Sequence, residues 1–287
     1  MSHVALQRVA MRMLWDPEFV ARVYTTPQVA LAGDALTPAE ISWLTKPDRR
    51  AWATDPARRA RTLHALLEEF PGAGALAARH EQGLAFLDRF FSSTTFHACI
   101  RDGASMALAF GSYLAREIAG AVADPRVRAL ASVEGALASV RRTAKLPPGM
   151  IPFKGRPTAD RAALRPDAAL FDAPAGTAAL LAEITRRLAR HPRGVLAAIA
   201  ERSTPLDALP TLGPDNQPVT LLALPSNADA FSLEELTAPL AAILRAAAGG
   251  AIVHDLLAIA RREGADPGED RELIDGLIAD GLLITSG

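Results

Sequence analysis

Apolar residues recur at helical spacing through most of the first 145 positions. Behind Asp55-Pro56, the residues Ala60, Leu63, Leu66, Leu67 and Phe70 share one helix face, and Phe70-Pro71-Gly72 stops that helix. Leu84, Phe86, Leu87, Phe90 and Phe91 carry the next apolar pattern. Val127, Leu130, Val133, Leu137 and Val140 predict a long helix from about Pro125 to Lys145. Asp16-Pro17 and Thr37-Pro38 each put a capping residue before a proline at the first helical position. Glu40 completes a capping box with Thr37.

The pattern then breaks. Residues 146–167 hold five prolines and two glycines and have little periodicity, which reads as a linker over 146–168. Beyond it, AALFDAPAG predicts a short strand, and Thr177–Arg190 a helix. Val219–Leu224 is a compact apolar run closed by Pro225, which predicts a strand. Ala230–Leu233 predicts another, after the turn Ser226-Asn227-Ala228-Asp229. Three helices follow, marked by Leu236, Leu240, Ile243 and Leu244, by Ile252, Val253, Leu256 and Leu257, and by Leu273, Ile274, Leu277 and Ile278. Leu282–Thr285 ends as a strand. The expected fold is mainly α. An N-terminal helical domain covers 1–145, and an α+β, winged-helix-like C-terminal domain covers 169–287.

Composition narrows the function. The 287 residues are 49% hydrophobic but only 5% aromatic, which favours alanine- and leucine-packed helices in two domains. A formal charge of -1 gives no global pull toward nucleic acid or an anionic membrane. The single cysteine, Cys99, rules out an internal disulfide and a thiolate cage. The N-terminal segment MSHVALQRVAMRMLWDPEF lacks a signal-peptide pattern, and no apolar run approaches a membrane span, so the cytoplasm is the expected location.

Catalytic motifs are missing. The six histidines include no HExxH and no pair facing along one helix. His97 and Cys99 are two apart, a spacing that does not bring side chains together on a helix, and the apolar setting of Cys99 reads as a buried structural thiol. Walker, dinucleotide and GxSxG patterns do not occur. No residue is assigned a catalytic or metal-binding role, and no cofactor is expected. DNA binding is disfavoured. The third helix of the winged-helix pattern would enter the groove, yet Glu263 to Asp280 carries seven acidic residues against Arg271. An extended peptide added to a strand edge is the better use of such a fold. Val219, Leu221 and Ala223 are the expected strand contacts, with Arg245, Arg261 and Arg262 for acidic side chains of the peptide; the alternative is that this strand is simply paired and covered.

Phe90-Phe-Ser-Ser-Thr-Thr-Phe-His-Ala-Cys-Ile, continuing to Leu108–Leu114, stands with Asp16-Pro-Glu-Phe and Leu36-Thr-Pro-Ala-Glu40. Together they resemble the partner subunits of multinuclear non-haem iron oxidative enzymes in ribosomal-peptide natural-product pathways, of the methanobactin biosynthesis C-subunit type. Leu236–Ile284 is similar to the winged-helix peptide-recognition elements of such pathways, as in the peptide chaperone of pyrroloquinoline quinone synthesis. The resemblance implies a non-catalytic subunit that pairs with the iron enzyme as a heterodimer and holds the leader of a precursor peptide. Phe96, His97, Phe110 and Tyr113 would then belong to the docking domain. A winged-helix transcriptional regulator with a helical sensor domain is the alternative expectation. A third is an enzyme whose site is assembled from distant segments.

Overall fold

Prolines and short polar residues set most helix starts in the first half of the chain. The computed structural model describes residues 3–53, 55, 57–145, 160–214, 217–226, 231–266 and 268–285. In chain order the elements begin with α1 (His3–Trp15), α2 (Pro17–Thr25), α3 (Pro27–Ala30), α4 (Pro38–Thr45), α5 (Arg58–Glu69) and α6 (Pro71–Ala77). They continue with α7 (Leu84–Asp88), α8 (Thr94–Asp102), α9 (Met106–Tyr113), α10 (Ala119–Val122) and α11 (Pro125–Ala144). Then come β1 (Arg161–Leu164), β2 (Ala169–Pro174), α12 (Thr177–Ala189), α13 (Val195–Glu201), β3 (Pro218–Pro225) and β4 (Phe231–Leu236). The last are α14 (Ala238–Ala248), β5 (Ala251–Ile252), α15 (Val253–Arg262), α16 (Glu269–Ala279) and β6 (Leu283–Thr285). The protein is mainly helical, with two small antiparallel sheets in its second half.

The chain forms two compact units. One comprises Met1–Ala131 and Ile184–Asp207, the other Ser132–Glu183 and Ala208–Gly287. In the first, the sequence-read caps form. Asp16 accepts from the amides of Glu18 and Phe19 at 3.0 and 3.1 Å, and so starts α2. Thr37 and Glu40 exchange the two bonds of a capping box at the start of α4. Ser93 caps α8, which ends at Gly103 with φ 64°, a left-handed turn that glycine adopts without strain. The core of this unit is aromatic. Phe90 lies 5.2–5.4 Å, centroid to centroid, from Phe91, Phe96, Phe110 and Tyr113. Trp15 stacks on Phe91 at 5.0 Å. A neighbouring cluster joins Val9 and Met13 of α1 to Phe19, Val20 and Val23 of α2.

In the second unit, β1 lies inside the span read as a linker. It is the centre of a sheet ordered β5-β1-β6, with Arg161 opposite Ile252 and Ala163 opposite Ile284. The linker reading therefore does not hold for Arg161–Leu164. Those four residues look weak alone because the partners that bury them are far downstream. The rest of that span up to residue 159, and the turn read over 226–229 apart from Ser226, lie outside the described residues.

The other sheet is ordered β2-β3-β4. Leu221 faces Phe171 on one side and Glu235 on the other. Apolar side chains cover both faces. Leu222 packs into a cluster with Ile243, Leu244, Leu256 and Ile274 of the three last helices. Leu221 and Ala223 pack into a second cluster with Val133, Leu137 and Val140 of α11. A strand buried on both faces needs a largely apolar run; Val219–Leu224 supplies it, with Thr220 hydrogen-bonded to Asp172 and Arg245.

Candidate functional site

The strand nominated for peptide contact is the middle strand of its sheet. Leu221 and Ala223 are buried, and Val219 is partly buried in the same cluster. β3 is hydrogen-bonded to β2 on one edge and β4 on the other. A peptide cannot add to a strand whose two edges are taken. Val219, Leu221 and Ala223 are thus core residues, and strand addition at β3 is excluded.

The open edge lies one strand over. Among the described residues β4 pairs with β3 alone. It is six residues long and carries no proline, so every residue has an N–H, whereas the other outer strand, β2, ends in Pro174. Its side chains alternate between the two apolar layers: Phe231 and Leu233 pack toward α11, and Leu236 packs toward α14–α16. Arg141 of α11 lies over the Phe231 ring at 5.0 Å and fixes that end of the strand. Glu234 and Glu235 are exposed, and charge on an outer strand opposes self-association.

The nominated arginines of this unit already face carboxylates. Arg245 bonds to Asp172 and, at 2.7 Å, to Thr220 Oγ1. Arg261 Nε donates to the buried Asp270 Oδ2 at 2.5 Å. The Gly268 amide, together with Arg261 and the Arg271 amide, outweighs desolvation and holds the Asp270 carboxyl below its ordinary value. Arg262 Nε is 3.7 Å from Glu263.

In the first unit, Phe96 and Phe110 have no exposure and Tyr113 has 4%, so all three are core. Burial, with Glu117 nearby, pushes the Tyr113 hydroxyl up to about 12. His97 is the exception. Its Nε2 meets Asp16 Oδ2 at 3.0 Å, and Ser92 Oγ donates to Asp16 Oδ1 at 3.0 Å. The Asp16-Pro-Glu-Phe and Phe90–Ile100 stretches therefore converge on one buried carboxylate. Cys99 points elsewhere and donates to the Ala104 carbonyl at 3.2 Å. Burial, with Asp102 nearby, raises its thiol above the usual value. The two residues do not form a nucleophile–base pair.

Beside this hub is a cleft of about 500 Å³ that the sequence did not signal. Met13, Trp15, Val20 and Trp52 wall it, and Arg49 and Arg50 stand at its rim. Tyr24 accepts from Trp52 Nε1 at 3.1 Å and donates to the Pro47 carbonyl at 2.6 Å, which fixes the second indole. Arg59 bridges Asp88 and the Trp15 backbone carbonyl, and the first indole is held by stacking on Phe91. Arg49 and Arg50 pair with no carboxylate of the described residues. Asp48 and Asp55 line the cleft as well, so its lining carries both signs of charge, and the two indoles suit an apolar anchor side chain. Among the described residues, no three His, Cys, Asp or Glu side chains gather into a metal-holding group.

Comparison with protein-family models, with curated proteins and with solved structures returned no match for this chain.

Proposed function

We propose that this chain is a non-catalytic partner subunit that holds the leader of a precursor peptide and a multinuclear non-haem iron oxidative enzyme during modification of a ribosomal peptide. The observation that carries the peptide half is the open edge of β4. Backbone hydrogen bonds along such an edge give affinity with little demand on side chains, and flanking pockets add selectivity. The order α14, β5, α15, α16, β6, with β1 completing the small sheet, supports a winged-helix reading of the second unit. The convergence of two family-like stretches on Asp16 supports the resemblance. The indole-walled cleft is the docking pocket for the enzyme, where a buried aromatic or aliphatic anchor would dominate affinity. The exposed Glu269 and Glu272 in the first turn of α16 weigh against the regulator alternative.

Two proline variants test the peptide half. Along a strand, adjacent N–H groups point to opposite edges. Of Leu233→Pro and Glu234→Pro, one therefore breaks the bond to β3 and the other removes an outward donor. The outward variant is expected to keep its melting temperature close to wild type and lose leader binding at least tenfold. Unchanged binding in that variant would remove β4 from the account. Co-purification with a co-expressed iron enzyme tests the other half, and failure to associate at micromolar concentrations would refute it.

A further inference from the structure

The open strand β4 carries charge unevenly along its length. Glu234 and Glu235 are exposed and meet no Arg, Lys or His of the described residues. Their register fixes the face each takes. Glu235 lies opposite Leu221, which belongs to the α11 layer, and Glu234 lies opposite Leu222, which belongs to the layer of α14–α16. Adjacent residues of a strand point to opposite faces. The edge therefore presents one carboxylate on each face. Leu233 and Leu236, on either side of the pair, are partly buried in those same two layers. At the other end of the strand the charge has the opposite sign, from Arg141 over the Phe231 ring.

One exposed charge is enough to oppose pairing between copies of an outer strand. That need does not call for two on consecutive residues, one to each face, between two leucines. In an added strand each residue sits opposite one of β4 and on the same face, with Cβ atoms about 5 Å apart. Residues opposite Leu233 and Leu236 would extend the two apolar layers. Residues opposite Glu234 and Glu235 would stand beside unpaired carboxylates, where a cation is stabilised and an acid is repelled. The resulting pattern, apolar-basic-basic-apolar, reads the same in both directions, so it holds for a parallel or an antiparallel strand. We propose that the β4 edge selects an extended peptide segment with two adjacent basic residues between apolar ones, with Glu234 and Glu235 as the specificity-determining side chains. This selection rests on the peptide edge proposed above. Arg141 at the far end makes a uniform polycation a poorer fit.

The test is titration of the full chain with fluorescent hexapeptides: Thr-Val-Lys-Lys-Val-Thr, its permutation Thr-Lys-Val-Val-Lys-Thr, and Thr-Val-Glu-Glu-Val-Thr. The first should bind about fivefold or more tighter than the permutation, which has the same charge and composition. Its affinity should fall as salt is raised. The double variant E234K/E235K should reverse the order and prefer the Glu-Glu peptide. Both positions are exposed, so its melting temperature should stay close to wild type. Equal affinity for all three peptides, lost in the outward-facing proline variant, would overturn the charge selection and leave the edge in place. A double variant that keeps the wild-type order would overturn the selection too. No binding of any peptide would overturn both the selection and the edge.

Discussion

His97 Nε2 sits 3.0 Å from Asp16 Oδ2 across 81 positions of sequence, and the carboxylate it meets has no solvent exposure. Asp16 also takes the two amides that start α2 and the hydroxyl of Ser92. One side chain thereby caps a helix and ties it to the segment before α8. Replacing it leaves several buried donors unsatisfied. Asp16→Ala is expected to cost about 3 kcal/mol at neutral pH, and His97→Ala about 1–2 kcal/mol. Urea unfolding of both variants and the double variant would measure this, with a non-additive cycle as the mark of direct coupling.

The same carboxylate fixes a pH dependence. Burial alone would raise its pKa, but hydrogen bonds from His97, the Phe19 amide and Ser92 hold it below the ordinary carboxylate range. A folded-state value below the unfolded one stabilises above about pH 4, and that contribution is lost as pH falls through the folded value. The stability gap between wild type and Asp16→Asn should therefore shrink as the solution is acidified below about pH 4. A gap that stays constant would contradict this assignment.

Gly111 is required by packing rather than by backbone shape. A Cβ there would lie 2.6 Å from Cε1 of the buried Phe70 ring. Alanine normally favours a helix by about 1 kcal/mol over glycine. Here the clash reverses the sign, and Gly111→Ala should destabilise by about 1–3 kcal/mol. Gly120 has nothing within 4 Å of a built Cβ and serves as the control in thermal melts.

Cys99 should react slowly. Its thiol is raised by burial and by Asp102, and its hydrogen goes to the Ala104 carbonyl. A thiol reagent at pH 8 should label it far more slowly than it labels the denatured chain. Equal rates would mean the α8 end is open.

The proposed function assigns the cleft to the enzyme and the β4 edge to the leader, and variants can separate the two. Trp52→Ala and Arg49→Glu should each weaken association with the iron enzyme about tenfold while leaving leader affinity unchanged. Pull-down and titration on the same preparations would tell the two apart.

Local signals carried much of the fold. The Thr37 capping box, the stop at Phe70-Pro71 and the α11 pattern are written in adjacent residues, and each forms. The compact apolar run at Val219–Leu224 predicted a strand. Whether its edge stood open or was paired and covered was left undecided by the sequence, and the fold pairs it on both edges. Features built from distant residues were not legible. β1 is four residues whose partners come after residue 250. The Asp16–His97 bond and the indole-walled cleft each join segments with no shared local pattern. Arg245 and Arg261 looked available only because Asp172 and Asp270 reach them through the fold.

Hydrogen–deuterium exchange on the full chain, with and without the precursor peptide, tests the central claim most directly. Peptide addition at the open edge predicts slowed exchange for the outward-facing amides of Phe231–Leu236 and no change for β3, whose amides are already paired within the sheet. Bound peptide with no protection in β4, or protection confined to the first unit, would contradict it.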